Sequence, residues 1–323
     1  MNAVATLSVR VARKANEALD IQSFELVDPE GAALPVFTAG AHIDVFLPNG
    51  LIRQYSLCNA PGETHRYLIG VLRDPATRGG SQAMHDQVNE GDLLQISAPK
   101  NHFPLAEQAQ RSLLLAGGIG ITPILCMAER LAAQGADFEM HYCTREAART
   151  AFAKRLAAAP FASSVRFHFD AGAPEQKLDL PALLAKPEAG RHLYVCGPKG
   201  FINAVLDQAR AAGWPEAQLH CEFFAGEEVT AQAGDTAFQV KLASSGRMIS
   251  VAADTTVAKA LMDAGVDLMT SCEQGVCGTC LTRVLEGEID HRDQYLTPEE
   301  QAANDQFLPC CSRARSPVLV VDL

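Results

Sequence analysis

The sequence predicts a multi-domain protein, in which an all-β segment, a parallel α/β segment and a small cysteine-rich segment follow one another. The chain has 323 residues, and at roughly 100–200 residues per domain this length predicts two or three domains. Short strands broken by turns occupy the first third of the chain, whereas strands and helices alternate in the middle. Five of the ten cysteines fall in the last sixth of the sequence. These three patterns predict three different folds in one chain.

The composition is that of a globular protein and excludes several kinds of partner. Hydrophobic residues make up 48% and charged residues 20%, the usual balance for a chain that buries a core. The formal net charge is −11, whereas nucleic acids and anionic membrane surfaces need a basic face. We find no run of ~20 apolar residues and no signal-peptide pattern in Met1–Arg10. We therefore expect a cytoplasmic protein with reduced thiols, and no nucleic acid or membrane as partner.

The first segment is predicted to be a small β-barrel or sandwich. Turn-forming groups such as Asp28-Pro29 and Glu90-Gly91-Asp92 separate short apolar runs, a spacing typical of all-β domains. The predicted strands are Thr6–Val11, Ile21–Val27, His42–Leu47, Arg53–Leu57, Arg66–Leu72 and Leu93–Ser97.

The middle segment is predicted to be a parallel sheet with helices on both faces. Its strands are almost continuously apolar, and helical stretches separate most of them, as in sheets that are buried on both sides. The predicted strands are Ser112–Ala116, Phe138–Cys143, Val165–Phe169, His192–Cys196 and Leu219–Phe224. The predicted helices are Pro123–Gln134, Glu146–Ala158, Pro181–Ala185 and Pro198–Ala212.

A polar stretch of small residues, Ala225–Asp235, is predicted to link the middle segment to the last one. Beyond it we expect a helix over Thr256–Ala264 that Asp254 caps and Gly265 ends. A capping box at Thr297–Glu300 predicts the start of another helix. The predicted strands of this segment are Phe238–Ala243, Met248–Ala252, Leu281–Leu285 and Val318–Val321.

The cysteines of the last segment have the spacing of a plant-type 2Fe–2S cluster. Cys272, Cys277 and Cys280 form C-x4-C-x2-C, and a fourth thiol follows at Cys310 or Cys311. Gly275 and Gly278 would let the loop wrap closely around the cluster. A zinc site is the alternative, although zinc favours paired C-x2-C motifs. The spacing alone does not decide between Cys310 and Cys311. The other five cysteines are expected to be small core residues.

Two glycine-containing turns join strands to helices in the α/β segment. The first is Gly117-Gly118-Ile119-Gly120, and the second is Cys196-Gly197-Pro198. Such turns let a pyrophosphate approach a helix N-terminus. Pro123 stands where the third glycine of G-x-G-x-x-G would be, so a tight structural turn remains an alternative for the first loop. Two loops at the carboxyl ends of parallel strands would frame one crevice for a nicotinamide dinucleotide.

A flavin is expected between the nucleotide and the cluster. A hydride donor delivers two electrons and the cluster accepts one, and a flavin can do both. Arg53, Tyr55 and Ser56 could hold phosphate, stack on the ring and reach a ring nitrogen, although an amphipathic strand explains the same pattern. Arg78-Gly79-Gly80-Ser81 precedes a helical stretch and could cradle a phosphate.

These motifs together resemble the phthalate dioxygenase reductase family, to which vanillate demethylase reductase components are similar. The resemblance rests on RQYSL, RGGS, GGIGITP, YVCGP and SCEQGVCGTC…PCCSRA in this order, and it covers essentially the whole chain. It implies an FMN-binding antiparallel six-stranded β-barrel in residues 1–104. It further implies a nucleotide-binding α/β parallel-sheet domain in residues 105–228 and an α+β plant-type ferredoxin domain of the β-grasp type in residues 236–323.

The resemblance also implies individual roles. The residues expected to contact FMN are Arg53, Tyr55, Ser56, Gly70, Val71, Arg73, Gly80, Ser81, Thr122 and Phe224. The residues expected to contact NADH are Gly117, Gly118, Gly120, Thr144, Arg145, Cys196, Gly197 and Pro198. Ser56, Thr122 and Cys196 would support hydride transfer. Ala225 stands where the family often has glycine, so the match around Phe224 is looser. The family's Cys-x-Ser-Arg motif selects Cys310 as the fourth ligand, beside Cys272, Cys277 and Cys280.

The expected function is electron transfer from NADH through FMN and the 2Fe–2S cluster to a Rieske-type oxygenase. The alternatives are a stand-alone flavin or ferric reductase and a non-enzymatic iron–sulfur redox sensor. The choice of nucleotide is less direct, because Arg145 could accept the 2′-phosphate of NADPH whereas the family favours NADH. Acidic residues near the cluster loop are interpreted as a docking face, although an ordinary solvated surface explains them equally well. These residues are Glu273, Glu286, Glu288, Asp290 and Asp293.

Overall fold

A computed structural model describes residues 6–75, 79–224 and 230–323 of the chain. The chain divides into two compact units, Met1–Phe223 and Phe224–Leu323. The first unit contains a six-stranded and a five-stranded sheet, and the second contains a five-stranded sheet and a two-stranded ribbon. Arg78 and Ala225 of the sequence motifs lie outside the described residues. No helix among the described residues is long and apolar enough to cross a membrane.

The six-stranded sheet is an antiparallel barrel. Its strands are β1 (Thr6–Ala18), β2 (Ile21–Val27), β3 (His42–Phe46), β4 (Ile52–Ser56), β5 (Tyr67–Leu72) and β6 (Leu93–Ser97). They are ordered β4-β3-β6-β1-β2-β5, and each pairing is antiparallel. A bridge between Leu57 and Ile69 joins the two ends, where the Cys58 amide donates to the Leu68 carbonyl at 2.8 Å. The barrel interior is filled by alternate residues such as Ile43 and Val45.

Most predicted barrel strands agree with the structure within a residue or two, but β1 is seven residues longer than expected. It continues to Ala18 and forms a long hairpin with β2. Asp20, at the tip of this hairpin, has a φ of 63°, a conformation that Asp tolerates better than most residues. A helix, α1 (Gly80–Gln87), lies between β5 and β6, and it begins within the Arg78–Ser81 motif that was predicted to precede it.

The five-stranded sheet of the first unit is parallel. Its strands are β7 (Arg111–Gly117), β8 (Asp137–Thr144), β9 (Val165–Phe169), β10 (Arg191–Gly197) and β11 (Leu219–Phe223). Their order is β11-β10-β7-β8-β9. The helices are α2 (Ile121–Ala133), α3 (Ala153–Ala158), α4 (Leu180–Leu184) and α5 (Lys199–Ala211). Alternate residues of β7 enter two separate cores, Leu114 on one face and Leu113 on the other. The sheet is therefore covered on both faces, as predicted.

The predicted helix Glu146–Ala158 is wrong in its first half. A short 3₁₀ turn over Ala147–Arg149 comes first, and the α-helix begins only at Ala153. Phe152 separates them with a φ of 58°, which a helix cannot accommodate. Its ring is 2% exposed, so packing of the aromatic side chain outweighs the local helix pattern.

The second unit combines a mixed sheet with short helices. Its strands are β12 (Phe238–Leu242), β13 (Met248–Val251), β14 (Thr282–Glu286), β15 (Ile289–Asp290), β16 (Gln306–Phe307), β17 (Arg313–Ala314) and β18 (Val318–Val321). The main sheet is ordered β13-β12-β18-β14-β16, with β12 and β18 parallel, and β15 pairs with β17. The helices α6 (Val257–Asp263) and α7 (Pro298–Ala303) complete the unit.

The N-terminal caps predicted for the two helices of this unit can be compared with the structure. The Thr297 hydroxyl accepts from the Glu300 amide and the Glu300 carboxylate accepts from the Thr297 amide, so the predicted capping box is confirmed. The predicted cap of the preceding helix was wrong: Thr256, not Asp254, accepts from the Lys259 amide. Thr256 is the residue next to the first helical turn, where a side-chain oxygen reaches the free amides.

Candidate functional site

The barrel brings the predicted phosphate-binding residues together. Arg53 of β4 lies against Gly80, the first residue of α1, because a Cβ added to Gly80 would stand 2.5 Å from the Arg53 Nε. Gly79 precedes the helix with a φ of 88°, and the Ser81 hydroxyl accepts from the Asp74 amide at 3.2 Å. A guanidinium beside a glycine-led helix N-terminus is suited to an anionic phosphate.

Strand β5 of the barrel packs against the start of α2. A Cβ on Gly70 would stand 2.9 Å from the Thr122 methyl and 3.2 Å from the Phe152 ring. Glycine at this position therefore permits a close approach. Thr122 is buried, and its hydroxyl donates to the Ile119 carbonyl at 3.1 Å. The structure thus places Gly70 and Thr122, both predicted flavin neighbours, against each other.

A half-buried carboxyl that was not among the predicted site residues also lies here. The Ser56 hydroxyl at the end of β4 donates to Glu222 of β11 at 3.4 Å. Burial raises the pKa of Glu222 to about 8, against a smaller lowering by the Ser56 hydrogen bond. Burial, together with the nearby Glu222, also raises the pKa of the Cys196 thiol well above its usual value. Ser56 and Cys196 are buried and Glu222 is half-buried, and the raised pKa values keep the Cys196 thiol and the Glu222 carboxyl largely uncharged near neutral pH.

A cavity of about 800 Å³ opens between the β1–β2 hairpin and the carboxyl ends of the parallel strands. Six of the predicted cofactor residues line it: Arg73, Gly117, Gly118, Thr144, Arg145 and Pro198. The other predicted nucleotide-binding residues, Gly120, Cys196 and Gly197, belong to the same two loops but do not line the cavity. A Cβ on Gly120 would stand 2.2 Å from the Cys196 carbonyl oxygen, and one on Gly197 would stand 2.9 Å from the Gly117 Cα. These glycines allow the two loops to pack directly on one another.

Charged side chains around the cavity differ in their partners. Arg149 pairs with Asp20 at 3.1 Å, and this ion pair joins the hairpin tip to the α/β domain. Arg73 pairs with Asp86 at 2.9 Å. Arg145 has no ion pair within the described part of the chain, and it remains exposed to the cavity. Asp170, which follows β9, lines the same wall.

The four predicted cluster thiols meet in the second unit. Hydrogen bonds from the Cys277 and Cys310 thiols lower the pKa of Cys272 to about 2. The pKa of Cys280 is lowered by its contact with Cys310, and the pKa of Cys310 is raised by the sulfurs of Cys272 and Cys280. Cys311 also contacts Cys310, and its thiol donates to the Leu308 carbonyl at 3.7 Å. Four thiols held this closely are suited to an iron–sulfur group, which takes up their negative charge as thiolates.

The loop that carries three of these thiols is shaped by its glycines. Gly275 and Gly278 have φ values of 73° and 71°. A Cβ on Gly275 would stand 2.5 Å from the Cys311 Sγ, and one on Gly278 would collide with the Tyr295 ring. The predicted role of these glycines in wrapping the loop agrees with this packing. The thiols contact one another in pairs, and no three His, Cys, Asp or Glu side chains of the described residues converge on one position for a single metal ion. A 2Fe–2S group differs from a single ion, because its four thiolates are shared between two irons.

The comparisons with known proteins agree with this geometry. Residues 240–315 match the 2Fe-2S iron-sulfur cluster binding domain, and residues 97–219 match the N-terminal domain of dimethylamine monooxygenase subunit DmmA-like proteins. The chain is 57% identical to a vanillate O-demethylase oxidoreductase of Pseudomonas putida, over 97% of this chain and 98% of the relative. It is 42% identical to the phthalate dioxygenase reductase of Burkholderia cepacia, over 98% and 97%. The chain belongs to the phthalate dioxygenase reductase family.

The solved structures extend this assignment to the fold. A structure of phthalate dioxygenase reductase, described as modular for electron transfer from pyridine nucleotides to 2Fe–2S, matches with a TM-score of 0.75 at 42% identity. The match covers 99% of this chain and 98% of that one. We predicted a barrel, then a parallel α/β domain and then a ferredoxin domain. This order of folds along the chain is therefore confirmed for this reductase.

Three site residues of the reductase were not predicted. Glu222 lies within the edge strand β11, but nothing in its sequence neighbourhood reveals that it faces Ser56, 166 positions away. Asp170 could have been suspected, because it ends a predicted parallel strand and such ends bind ligands. Asp20 gave no signal, because its cavity-lining position depends on the unexpected length of β1. Phe224, predicted to cover the flavin, is 39% exposed at the start of the second unit.

Proposed function

We propose that this reductase carries electrons from NADH through FMN and a 2Fe–2S cluster to a Rieske-type oxygenase. The observation that carries the proposal is the presence, in one chain, of a dinucleotide-sized cavity beside a flavin-type barrel and of a four-thiol loop. The partner is an oxygenase that acts on an aromatic acid, and the high identity to vanillate O-demethylase oxidoreductases makes vanillate demethylation the first reaction to test. The aromatic substrate binds to the oxygenase and does not contact this chain.

The proposed domain boundaries are residues 1–104 for the barrel, 105–228 for the nucleotide domain and 236–323 for the β-grasp ferredoxin domain. The third boundary is supported by β12, which starts at Phe238. Asp235, the last linker residue, bonds through its carboxylate to Arg292 and lies against Arg313. The linker therefore ends on the ferredoxin domain.

The barrel residues fit FMN. Arg53, Gly80 and Ser81 would hold the phosphate at the start of α1, where the Arg53 guanidinium lies against the Gly80 backbone. The Tyr55 ring would pack on the flavin, and burial keeps its hydroxyl protonated by raising its pKa. The remaining FMN contacts in this proposal are Ser56, Gly70, Val71, Arg73, Thr122 and Phe224. Bound FMN accepts two electrons as a hydride and passes them on singly.

The cavity residues fit a nicotinamide dinucleotide. Gly117, Gly118 and Gly120 leave space for the pyrophosphate beside α2. The second loop, Cys196-Gly197-Pro198, would border the nicotinamide, with Thr144 and Arg145 at the other end of the cavity.

We further propose Cys272, Cys277, Cys280 and Cys310 as the cluster ligands. Cys272 contacts Cys277 and Cys310, and Cys280 contacts Cys310.

We propose that the role of Ser56, Glu222 and Cys196 is to keep a proton next to the flavin ring. Oxidation of NADH yields NAD⁺, one proton and two electrons. Because the electrons leave singly for the cluster, one proton remains to be released at this site. The Ser56 hydroxyl and the Glu222 carboxyl are already hydrogen-bonded and neutral there. They can therefore take part in that proton transfer without a charge being buried.

The test is a visible spectrum of the purified protein, followed by titration with NADH and then by addition of the partner oxygenase with vanillate. We expect flavin and iron–sulfur bands, bleaching of both by NADH, and demethylation that depends on the reductase. A colourless zinc protein would contradict the proposal. Release of reduced flavin without reduction of the cluster would instead indicate a stand-alone flavin reductase.

A further inference from the structure

A buried histidine with no role in the proposed function lies beside the Ser56–Glu222 pair. His42 of β3 is the direct cross-strand partner of Ser56 of β4. Both main-chain groups of His42 bond to Lys100 on its other side, at 2.8 and 2.9 Å. The pair with Ser56 is therefore of the non-hydrogen-bonded kind, in which facing side chains lie closest. Their Cβ atoms are expected ~4.5–5.5 Å apart on the same face of the sheet.

The His42 ring is unusual among the buried polar groups. The residue is 5% exposed, and its Nε2 has no hydrogen-bond partner in the described part of the chain. Burial lowers the pKa of His42 to about 4, against a raising effect of Asp44. The ring is therefore neutral at pH 7, and its free nitrogen can accept or donate one hydrogen bond. A buried polar atom without a partner costs stability, which points to a function.

The charged groups around His42 are accounted for. Asp44 lies on the same strand, and Lys100 and His102 lie on the segment after β6. The Lys100 ammonium pairs with Asp44 at 2.6 Å, and the Gln54 amide donates to the other Asp44 oxygen at 3.0 Å. Each oxygen of the carboxylate thus has a partner other than the imidazole. The cross-strand neighbour that can exchange a proton with His42 is Ser56, which is bonded to Glu222.

We propose that His42 is a positioning residue for Ser56 in the hydride-transfer site, a role that rests on the function proposed above. The Ser56 hydroxyl has one proton, so it donates to one acceptor at a time. The imidazole and the Glu222 carboxyl therefore compete for the same hydroxyl. His42 sets how the proton is shared within this group while NADH is oxidised to NAD⁺ with release of one proton and two electrons. It acts through Ser56 and does not touch the nicotinamide.

The test compares His42→Gln with the wild type as full-length reductase loaded with FMN and cluster. Two quantities are followed against pH: the rate of flavin reduction by NADH, and the infrared band of the protonated Glu222 carboxyl. We expect both midpoints to shift together by about one pH unit, a tenfold change in proton affinity, with an unchanged dissociation constant for NADH. His42→Phe should shift them further, because it retains no hydrogen-bonding group.

Two controls separate positioning from packing. His102→Gln removes the ring that packs on His42 at 5.5 Å but leaves the cross-strand pairing of His42 with Ser56, so we expect no shift. In a Glu222→Gln background, His42→Gln should add no further change to the rate profile. Equal shifts in the His42 and His102 variants, or an unchanged profile in His42→Gln, would overturn the proposal.

A readout on the intact His42 ring keeps the test decisive if His42 variants do not fold. The His42 ring resonances should titrate at a different pH in Ser56→Ala than in the wild type, and an identical titration would overturn the proposal. If the wild type itself is not reduced by NADH, the proposed function fails instead. The two failures are therefore distinguishable.

Discussion

Cys310 and Cys311 are adjacent in the sequence, yet their thiols have different neighbours. Cys310 contacts the sulfurs of Cys272 and Cys280, whereas Cys311 contacts only Cys310 among these thiols and donates to the Leu308 carbonyl. We expect Cys310→Ser to prevent stable cluster assembly and Cys311→Ser to retain it. Iron and sulfide content of the two purified variants measures this. Loss of iron from the Cys311 variant alone would identify the other thiol as the ligand.

Glu222 predicts a pH-dependent stability with a definite sign. Its pKa is raised from 4.5 to about 8 by burial, so the folded state holds a proton that the unfolded chain releases above its own pKa. The stabilising effect of that protonation is complete below pH 4.5 and is lost as the pH rises through about 8. Glu222→Gln should therefore melt like the wild type in acid and at a higher temperature above pH 8. Equal melting temperatures across this range would show that the carboxyl titrates normally.

Arg145 favours NADPH as the nucleotide, whereas Asp170 favours NADH. Both line the cavity, and a 2′-phosphate would be attracted by the guanidinium and repelled by the carboxylate. We expect NADH to be preferred, and Asp170→Asn to raise kcat/KM for NADPH relative to NADH on the order of tenfold, because one repulsion is worth ~1 kcal/mol or more there. Arg145→Gln should move the ratio the other way.

The matched control for this pair is Glu175→Gln, which makes the same charge change on the exposed 3₁₀ turn Pro174–Gln176. It does not line the cavity, so its nucleotide ratio should equal that of the wild type. A clear preference of the wild type for NADPH would mean that Arg145 outweighs Asp170.

Among the elements of the chain, the linker decides whether the first unit can fold and function without the second. Its last residue, Asp235, is fixed to Arg292 and Arg313 of the second unit, and the first unit ends before it at Phe223. A chain truncated after Ala233 should therefore fold, bind FMN and oxidise NADH with a small-molecule acceptor, but fail to support its oxygenase. Flavin content and NADH oxidation measure this. A truncated chain without FMN would show that the first unit needs the second.

The elements also show where local sequence patterns are sufficient. The parallel strands were predicted within one or two residues, because an apolar run between turns has little alternative to a buried strand. The helix over residues 146–158 failed, because the aromatic ring of Phe152 is buried at the cost of a left-handed backbone. The length of β1 was underestimated, because Ala12–Ala18 is polar and pairs mainly through its backbone.

At the scale of the whole molecule, net charge predicts how the reductase meets its partner. Residues 237–323 contain 7 Lys and Arg against 12 Asp and Glu, a net charge of −5. Glu273, Glu286 and Glu288 are exposed as expected, but Asp293 is buried. Its carboxylate accepts from the Leu296 amide at 2.8 Å, so it supports the local turn and does not belong to a docking face.

We expect turnover with the oxygenase to fall steeply as salt rises, because the Debye length shrinks from ~10 Å at 0.1 M to ~3 Å at 1 M. Redox encounters are small and depend on charge for their association rate. Glu273→Gln should weaken reduction of the partner and retain the cluster. NADH oxidation with a small neutral acceptor is the control and should change little. Turnover that is insensitive to salt would indicate apolar docking.

The sequence by itself determined the order of the three folds, the cluster loop and the two glycine-containing turns. These features depend on residues close together in the chain, whose spacing directly reflects thiolate ligation or a tight turn. Only the tertiary structure decided that Glu222 meets Ser56, that His42 stands beside them, and that Asp20 and Asp170 border the cavity. Such contacts depend on strand register and on the packing of the barrel against the α/β sheet, and neither leaves a local pattern in the sequence.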